Sequence, residues 1–448
     1  MELWGGIECT INRVGTKTYD QLARCGHYKR GDDLARIAAL GIRTMRYPLL
    51  WERAATGRPG EYDWRFADER LAQLRGLGIE PIAGLVHHGC GPAYTQLLDE
   101  SFVTGLADYA GQLAQRFPWL QWYTPVNEPL TTARFSGLYG HWHPHERNGH
   151  AFARILVNEC RATVLAMQAI RRVNPAAKLV QTDDLGTIYS TRRLQRQADF
   201  ENERRWLAWD LLLGRVDGSH PLHDRLVVWG IEPRELAWFR EHPCEIGIIG
   251  IDHYITSDRF LDHRLERYPR ATHGGNGRDT YADVEAVRVL EDPGTSLRRI
   301  VQQTAERYRV PVVLTEVHIG CTEDEQVRWL HEAFTICEQL EASGVPVRAV
   351  TSWAMLGSYD WNTLLTRGGN HYESGAFCVR SGKLRPTAVA EYIRAVTHRH
   401  SPAEIAALAG NSPGWWHQPA RLLHAARARD SITRDRGVDL PAAVPALD

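Results

Sequence analysis

The chain has 448 residues, of which 43% are hydrophobic and 24% are charged, so it can bury a large core. Its 53 Lys and Arg residues nearly balance its 54 Asp and Glu residues, which leaves no bulk field to draw nucleic acid or an anionic membrane. Neither a basic-plus-apolar N-terminal segment nor an apolar run near 18 residues is present, and we expect a cytoplasmic protein.

Short apolar runs alternate with longer amphipathic segments along most of the chain. The apolar runs predict strands at residues 3–7, 43–50, 81–87, 122–126, 178–182, 246–251, 312–315 and 347–355. The amphipathic segments predict helices at residues 31–40, 66–77, 102–117, 151–173, 203–213, 296–308, 323–342 and 387–397. Most apolar runs are continuous, as expected of parallel strands that are covered on both faces.

Eight strands alternating with helices predict an α/β fold, a single (β/α)8 TIM barrel over residues 1–399. A doubly wound open sheet is the alternative, but no Gly-rich phosphate turn follows the first strand. Residues 258–293 read as a long loop after the sixth strand. Residues 400–448 predict a C-terminal appendage with one short helix, an exposed Trp415-Trp416 pair and a tail that is poorly ordered from about residue 430.

Several residue types indicate what the protein binds. Fifteen Trp and 16 Tyr weakly favour a carbohydrate ligand, because flat aromatic faces stack on sugar rings. The eight Cys residues stand singly without a C-x-x-C pair, which fits reduced thiols. His141, His143 and His145 lie in the Pro-containing segment HWHPHERNGH at a spacing that matches no common zinc site. We therefore predict no metal.

Two acidic residues are predicted at the ends of buried strands. Glu128 lies in TPVNEP at the end of the fourth strand, and Glu316 lies in VPVVLTEVHIG directly after the seventh. In a barrel both carboxyls would face each other across the mouth at the C-terminal strand ends. Glycosidic cleavage needs one protonated and one ionised carboxyl, about 5–5.5 Å apart when configuration is retained. A strand-end ion pair is the alternative for either Glu alone.

The segments around these strand ends resemble glycoside hydrolase family 1, the retaining β-glucosidases and β-galactosidases, over about residues 2–397. The matching segments are LWGGIECTINRVG, DLARIAALGIRTMRYPLLWER, GIEPIAGLVHH, WYTPVNEP, IIGIDHY, LTEVHIG and SWAMLGSYDW. The resemblance implies that Glu316 is the nucleophile and Glu128 the acid/base. It also implies a set of supporting and sugar-binding residues: Arg46, Asn127 and Tyr254 at the reaction centre, and Asn12, His87, Asp252, Trp353, Asp360 and Trp361 at the sugar.

The implied roles agree with elementary electrostatics. Arg46 and Tyr254 beside Glu316 are expected to lower its pKa and keep it ionised. Apolar and aromatic neighbours are expected to raise the pKa of Glu128, so that it carries a proton near neutrality. Once Glu316 is glycosylated its charge is gone, and the pKa of Glu128 falls, which suits a base. Asn127 is expected to bond the sugar 2-hydroxyl.

The sugar-holding positions depart from the family. Asn12 stands in place of Gln and Asp360 in place of Glu, each one methylene shorter, and Asp252 stands in place of Asn. TEVHIG replaces the usual Thr-Glu-Asn-Gly. These changes predict a remodelled glycone pocket in which plain aryl β-glucosides are poor substrates. A 6-phospho-sugar is not favoured, because Arg367 and Tyr372 lack the spacing of the phosphoglycosidases.

Three functions fit these residues: a β-glycoside hydrolase, a transglycosylase with the same machinery, and a non-catalytic sugar-binding or sensing barrel that works with a partner enzyme. The presence of both Glu128 and Glu316 favours an enzyme. No cofactor is implied, because a general acid and a nucleophile suffice for the chemistry. The expected ligand is a small carbohydrate or glycoside, and the aglycone, the linkage and the oligomeric state stay open.

Overall fold

The computed structural model describes residues 1–291 and 296–424. Eight parallel strands form a closed barrel: β1 (Glu2–Gly6), β2 (Thr44–Pro48), β3 (Glu80–His87), β4 (Trp122–Asn127), β5 (Lys178–Asp184), β6 (Ile246–Asp252), β7 (Val312–Val317) and β8 (Val347–Ser352). Each strand pairs with its neighbours in chain order, and β1 closes the barrel by pairing with both β2 and β8. The predicted (β/α)8 TIM barrel is confirmed, and the open-sheet alternative is wrong.

Helices connect the strands and surround them. The α-helices are Gln21–Cys25, Asp33–Ala38, Trp51–Ala54, Arg65–Gly76, Glu100–Arg116, Pro129–Ala133, Gly149–Val173, Gln195–Arg204, Leu207–Leu212, His223–Val228, Pro233–Glu241, Ser296–Tyr308, Glu323–Ala342, Ala388–Thr397 and Pro402–Ala409. A π-helical turn, Arg134–Leu138, follows Pro129–Ala133. Short 3₁₀ turns lie at Arg192–Leu194, Leu265–Arg267, Arg270–Thr272, Ala286–Arg288, Trp361–Thr363, Trp415–His417 and Pro419–Arg421. Within residues 1–291 and 296–424, no helix is long and apolar enough to cross a membrane.

The barrel interior is filled at the N-terminal half of its strands. One apolar cluster there consists of Trp4, Ile82, Val180, Ile248, Val313 and Ala349. The residues on either side of Val313, Val312 and Leu314, belong instead to the main core between strands and helices. This alternation is the period-two pattern of strands whose two faces are both covered. The opposite, C-terminal strand ends are left to line the mouth.

The segment after β6 is more ordered than the sequence suggested. A four-stranded outer sheet is built from Ile188–Ser190, Arg259–Asp262, His273–Gly275 and Thr280–Glu285. Its apolar side chains Phe260, Ala282 and Val284 are buried together with Tyr189 and Tyr268. The prediction of a loop over residues 258–293 is therefore wrong, because these strands are too short to stand out among Arg, Gly and Asp. The described residues also form three two-stranded ribbons: Ile11–Val14 with Lys17–Asp20, Ser358–Tyr359 with Tyr372–Glu373, and Phe377–Cys378 with Arg385–Pro386.

The appendage begins with the helix Pro402–Ala409 and packs on the barrel through a tryptophan. Trp416 is buried, meets Trp329 edge to face at 5.6 Å between ring centroids, and donates its indole N–H to Glu332 at 2.8 Å. Trp415 is half-buried. The prediction that both rings are exposed is wrong, because neither partner is visible in the local sequence. The tail predicted from about residue 430 lies outside the described residues.

Candidate active site

Three carboxyl groups meet at the C-terminal ends of neighbouring strands. Glu128 follows β4, Asp252 ends β6, and Glu316 lies in β7. All three side chains are buried, and one carboxylate oxygen of each lies within 4.8 Å of one from each of the others. The two Glu residues predicted to face each other do so, and Asp252 lies with them.

A β-bulge places Glu316 on the inner face of the barrel. Along β7, Leu314 pairs with Ile251 and Glu316 pairs with Asp252, so two steps on β7 match one step on β6. Without the extra residue, alternation from the inward-facing Val313 would turn Glu316 towards the helices. The bulge reverses that direction and sets Glu316 beside Asp252.

Glu128 lies at a sharp change of backbone direction. Its φ and ψ are 44° and 61°, in the left-handed region, immediately before the helix Pro129–Ala133, which has Pro at its first position. A side chain other than Gly in this region costs free energy, and such strain concentrates at functional sites. The strain explains how a strand that ends on Asn127 can turn into a helix within one residue.

Arg46 and Tyr254 hold Glu316 directly, as predicted. The Arg46 guanidinium donates to Oε1 of Glu316 at 2.8 Å and to the Thr315 carbonyl at 2.9 Å. The Tyr254 hydroxyl donates to Oε2 of Glu316 at 2.5 Å. Arg46 also lies 3.5 Å from Asp252. Glu316 is thus the member of the acidic cluster with two direct donors, and it is best placed to carry the negative charge.

Burial dominates the acidity of the cluster. Burial, then the Asp252 and Glu316 charges, raise the pKa of Glu128 well above its ordinary value, which confirms the predicted direction. Burial and the Asp252 charge also raise the pKa of Glu316, although Arg46 and Tyr254 act in the opposite direction. The prediction of a lowered pKa for Glu316 is therefore wrong, because it left out burial and the third carboxyl.

Asn127, His87 and Trp353 form one side of the site. The amide oxygen of Asn127 accepts from the Thr182 hydroxyl at 2.8 Å and from Arg46, which leaves its NH₂ group as a donor. The His87 ring stacks on Trp353 with centroids 5.3 Å apart and planes 13° apart. Burial, then the charges of neighbouring His88 and Arg46, lower the pKa of His87 well below its usual value, so the ring is neutral.

Asn12 and Trp361 present polar groups that nothing in the described chain satisfies. Asn12 is 1% exposed, and neither its amide oxygen nor its nitrogen has a hydrogen-bond partner among the described residues. The indole N–H of Trp361 is likewise buried without an acceptor in that part of the chain. The Trp361 ring lies 5.7 Å from that of His88, whose Nε2 is 3.8 Å from Oε2 of Glu128. Unpaired buried donors and acceptors are costly, so these groups indicate a polar ligand.

Asp360, in contrast, already has partners. Its carboxylate lies 2.7 Å from the Arg24 guanidinium and accepts from the His371 backbone N–H at 2.8 Å. Burial acts to raise the pKa of Asp360, but these two contacts outweigh it, and the pKa is lowered. The Asp360 carboxylate, predicted to bind a sugar, thus lies in an ion pair with Arg24.

Sequence reasoning missed four residues that contact the predicted ones. Glu8 accepts from the Trp353 indole N–H at 3.1 Å, Thr182 orients Asn127, Arg24 pairs with Asp360, and His88 lies beside Glu128. A signal existed for Glu8 and Thr182, because both lie at or near the end of a predicted strand. Arg24 had none, since it belongs to a short helix far from any strand end.

The histidine-rich loop has structural contacts. Nε2 of His145 accepts from the Gly15 backbone N–H at 2.9 Å, His143 contacts Gln96 at 2.9 Å, and His141 packs on Phe135. Among the described residues, the one close grouping of metal-type side chains is the acidic cluster, where the Arg46 guanidinium supplies the positive charge.

The arrangement suits a double displacement at a sugar. Carboxyl groups about 5–5.5 Å apart leave no room for a water between them, and a Glu128 oxygen within 4.8 Å of a Glu316 oxygen fits that geometry of a nucleophile with an acid/base. Glu316, with Arg46 and Tyr254, matches the first role. Glu128, with its raised pKa and no cation in contact in the described part of the chain, matches the second. The neutral His88 beside Glu128 does not change this, since burial lowers its pKa to about 3.

Comparison with known proteins agrees with this geometry. A sequence model of glycosyl hydrolase family 1 matches residues 8–374. A comparison with curated proteins matched none of them. Among solved structures, the β-glucosidase from Thermotoga maritima in complex with deoxynojirimycin is similar at 17% identity and a TM-score of 0.70, with 88% of this chain and 97% of that one covered. The complex with azafagomine aligns at 16% identity and a TM-score of 0.70, covering 92% and 98%. At these identities the structural likeness establishes the barrel fold.

Proposed function

Because the chain belongs to glycosyl hydrolase family 1, and so is a retaining O-glycosyl hydrolase, we propose that Glu316 and Glu128 carry out its reaction on a β-glycoside whose glycone differs from plain glucose. The observation that carries the assignment of roles is the facing pair itself: two buried carboxyls, with an oxygen of one within 4.8 Å of an oxygen of the other. Arg46 and Tyr254 hold one of them, and the other has no cation in contact among the described residues.

Each residue has a defined step. Glu316 attacks the anomeric carbon and forms a glycosyl ester, while Glu128 gives its proton to the departing glycosidic oxygen. Water then attacks the same carbon as Glu128 takes one of its protons, and the ester bond breaks to return Glu316 as a carboxylate. The Asn127 NH₂ group donates to the sugar 2-hydroxyl, a contact that strengthens as the oxocarbenium-like state forms. Trp353 offers a flat surface for the ring.

Two contacts support a remodelled glycone pocket. Asp360 is one methylene shorter than Glu; one of its oxygens accepts from the His371 backbone N–H, and the other lies 2.7 Å from Arg24 without an aligned hydrogen bond, so a cation already balances its charge. Asn12 is one methylene shorter than Gln, and its amide atoms meet no protein partner within the described chain. A plain glucoside would therefore be held through longer, water-filled contacts on this side. A larger or decorated glycone would fill the space.

A mechanism-based 2-deoxy-2-fluoro-β-glycoside tests the catalytic assignment. We expect a mass increase of one glycosyl unit on the peptide that contains Glu316, and no increase in the Glu316→Gln variant. Glu128→Gln is the matched control, since with a good leaving group it still forms the adduct. If several such glycosides leave the mass of the wild-type protein unchanged, the result favours the alternative of a non-catalytic sugar-binding barrel. Product analysis with an added acceptor separates hydrolysis from transglycosylation.

A panel of nitrophenyl β-glycosides tests the glycone pocket. We expect the glucoside to have a lower kcat/KM than at least one other sugar in the panel. Turnover of the glucoside as fast as any other sugar would remove the reason for proposing an altered pocket, whatever the labelling shows.

A further inference from the structure

We propose that Asp252 is a positioning residue for the acid/base step: it shares one proton with Glu128, so that the two side chains act as a pair. This inference rests on the proposed function, because it concerns how Glu128 receives and keeps the proton that the reaction needs. It adds a third carboxyl to the two that glycoside cleavage requires.

The position of Asp252 leaves it few ways to be satisfied. It is fully buried at the end of β6, with an oxygen within 4.8 Å of both Glu128 and Glu316. Neither of its oxygens accepts a well-aligned hydrogen bond from an amide or hydroxyl among the described residues. The Thr315 hydroxyl is near enough to favour the charged form, but it is not well aligned. What remains is the Glu128 carboxyl, which is near enough to hydrogen-bond Asp252, and a proton between the two carboxyls turns a repulsive pair into a hydrogen bond.

The charges around Asp252 require such a proton. The cluster itself contains three carboxyls, Glu128, Asp252 and Glu316. Asp183 and Asp184 of β5 lie near enough to raise the pKa of Glu128, although burial raises the pKa of Asp183 itself well above its usual value. Arg46 is the cation in contact, at 3.5 Å from Asp252 and 2.8 Å from Glu316. The facing rings of Tyr254, His87 and His88 are neutral at physiological pH, since burial opposes their ionisation. Three buried negative charges against one positive charge are not tolerated, so at least one proton stays.

The proton resides on the Glu128–Asp252 pair rather than on Glu316. Glu316 receives direct hydrogen bonds from Arg46 and Tyr254, which favour its charged form. Among the described residues, Glu128 has no cation in contact, and Asp252 has only the Arg46 nitrogen that also bonds Glu316, at 3.5 Å instead of 2.8 Å. The resting site therefore has one charge on Glu316 and one shared by the pair.

The charge of the cluster then stays constant through the reaction. When the pair gives its proton to the leaving oxygen, its charge changes from minus one to minus two, while Glu316 becomes a neutral ester. When water is deprotonated, the pair returns to minus one and Glu316 regains its charge. Because the total is minus two throughout, the buried site never accumulates charge, and Asp252 makes the pair a stronger base in the second step.

The pH dependence of kcat/KM on the panel's best substrate tests the proposal in the Asp252→Asn variant. Asn has the same shape but neither charge nor shared proton, so the alkaline limb should move to lower pH by about one unit or more. Asp184→Asn is the matched control, because Asp184 pairs in register with Asp252 and accepts from the Ser257 hydroxyl at 2.5 Å. Its alkaline limb should move by less. Equal shifts in the two variants, or no shift in Asp252→Asn, overturn the proposal.

A titration that needs no turnover separates this proposal from the proposed function. In enzyme labelled with ¹³C at Asp Cγ, the Asp252 signal is identified by its loss in Asp252→Asn. We expect that signal to titrate in two steps in the wild type and in one step in Glu128→Gln. Identical titration curves in the two proteins would contradict the proposal that Asp252 and Glu128 share a proton. If the titrations are coupled but no fluoro-glycoside labels Glu316, the pair exists and the proposed function is what fails.

Discussion

Replacing Arg46 by Met tests how the buried charges of the site are balanced. The change removes the guanidinium that contacts Glu316 at 2.8 Å and Asp252 at 3.5 Å, while the Met side chain can still pack against Trp353. Removing one partner of a buried ion pair costs about 3–5 kcal/mol. Since Glu316 can take up a proton instead of keeping an unpaired charge, we expect a loss near the lower end, about 3 kcal/mol at pH 8. A protonated Glu316 is no nucleophile, so kcat/KM should fall at least about a hundred-fold.

The stability loss should depend on pH with a definite sign. The pKa of Glu316 is already raised in the folded protein, and losing Arg46 raises it further. An acid with a raised folded pKa favours folding below its unfolded pKa, and this support is lost as pH rises towards the folded pKa. The difference in free energy of unfolding between wild type and Arg46→Met should therefore be larger at pH 8 than at pH 5.

Urea-induced unfolding at the two pH values measures this difference, with Arg24→Met as the control. Arg24 also pairs with a buried carboxylate, but the pKa of Asp360 is lowered, so that pair contributes its stability at both pH 5 and pH 8 and loses it only in stronger acid. The difference in free energy of unfolding between wild type and Arg24→Met should therefore be the same at pH 5 and pH 8. An Arg46→Met loss that is constant over this range, or that shrinks at pH 8, would refute the reasoning.

Three further outcomes are expected elsewhere in the chain. A Cβ on Gly6 would lie 2.4 Å from Trp353, so Gly6→Ala should raise KM and lower the free energy of unfolding by about 1–3 kcal/mol through overpacking. Gly31 has open space around it, so Gly31→Ala should match the wild type in KM and in the free energy of unfolding. Trp416→Ala should lower the thermal midpoint, at a cost of about 3–5 kcal/mol in stability, and leave kcat/KM unchanged. A changed kcat/KM would contradict a purely structural role for Trp416. Burial raises the pKa of Glu52 to about 7, so Glu52→Gln should stabilise the protein by at most about 3 kcal/mol at pH 8 and have little effect at pH 4. Unfolding curves that give the same difference in free energy between variant and wild type at both pH values would contradict this.

Much of the fold could be predicted from local patterns. Continuous apolar runs marked all eight barrel strands, because a strand covered on both faces needs apolar residues at every position. The outer sheet was missed since its strands, such as Arg259–Asp262 and Thr280–Glu285, are short and half polar. The burial of Trp416 was missed because its partners Trp329 and Glu332 are more than eighty residues away.

Glu128 and Glu316 also show which features of the site follow from local sequence and which depend on the folded chain. That Glu128 and Glu316 end buried strands is determined by the sequence, because each directly follows or closes an apolar run and a barrel brings all such ends to one mouth. That Glu316 points into this mouth is decided by the bulge between Leu314 and Glu316, which depends on the register against β6. A one-residue slip inverts a strand's faces, and nothing in the strand's own residues reveals it.

The chain itself therefore specifies which residues reach the rim of the barrel, since hydrophobic patterning is a local property of consecutive side chains. Only the tertiary structure decides which of them touch: Asp252 with the two Glu carboxyls, Arg24 with Asp360, and Glu8 with Trp353. Such contacts join residues tens to hundreds of positions apart. The acidity of a carboxyl follows from its burial and from the charges within a few ångströms, which exist only after the chain has folded.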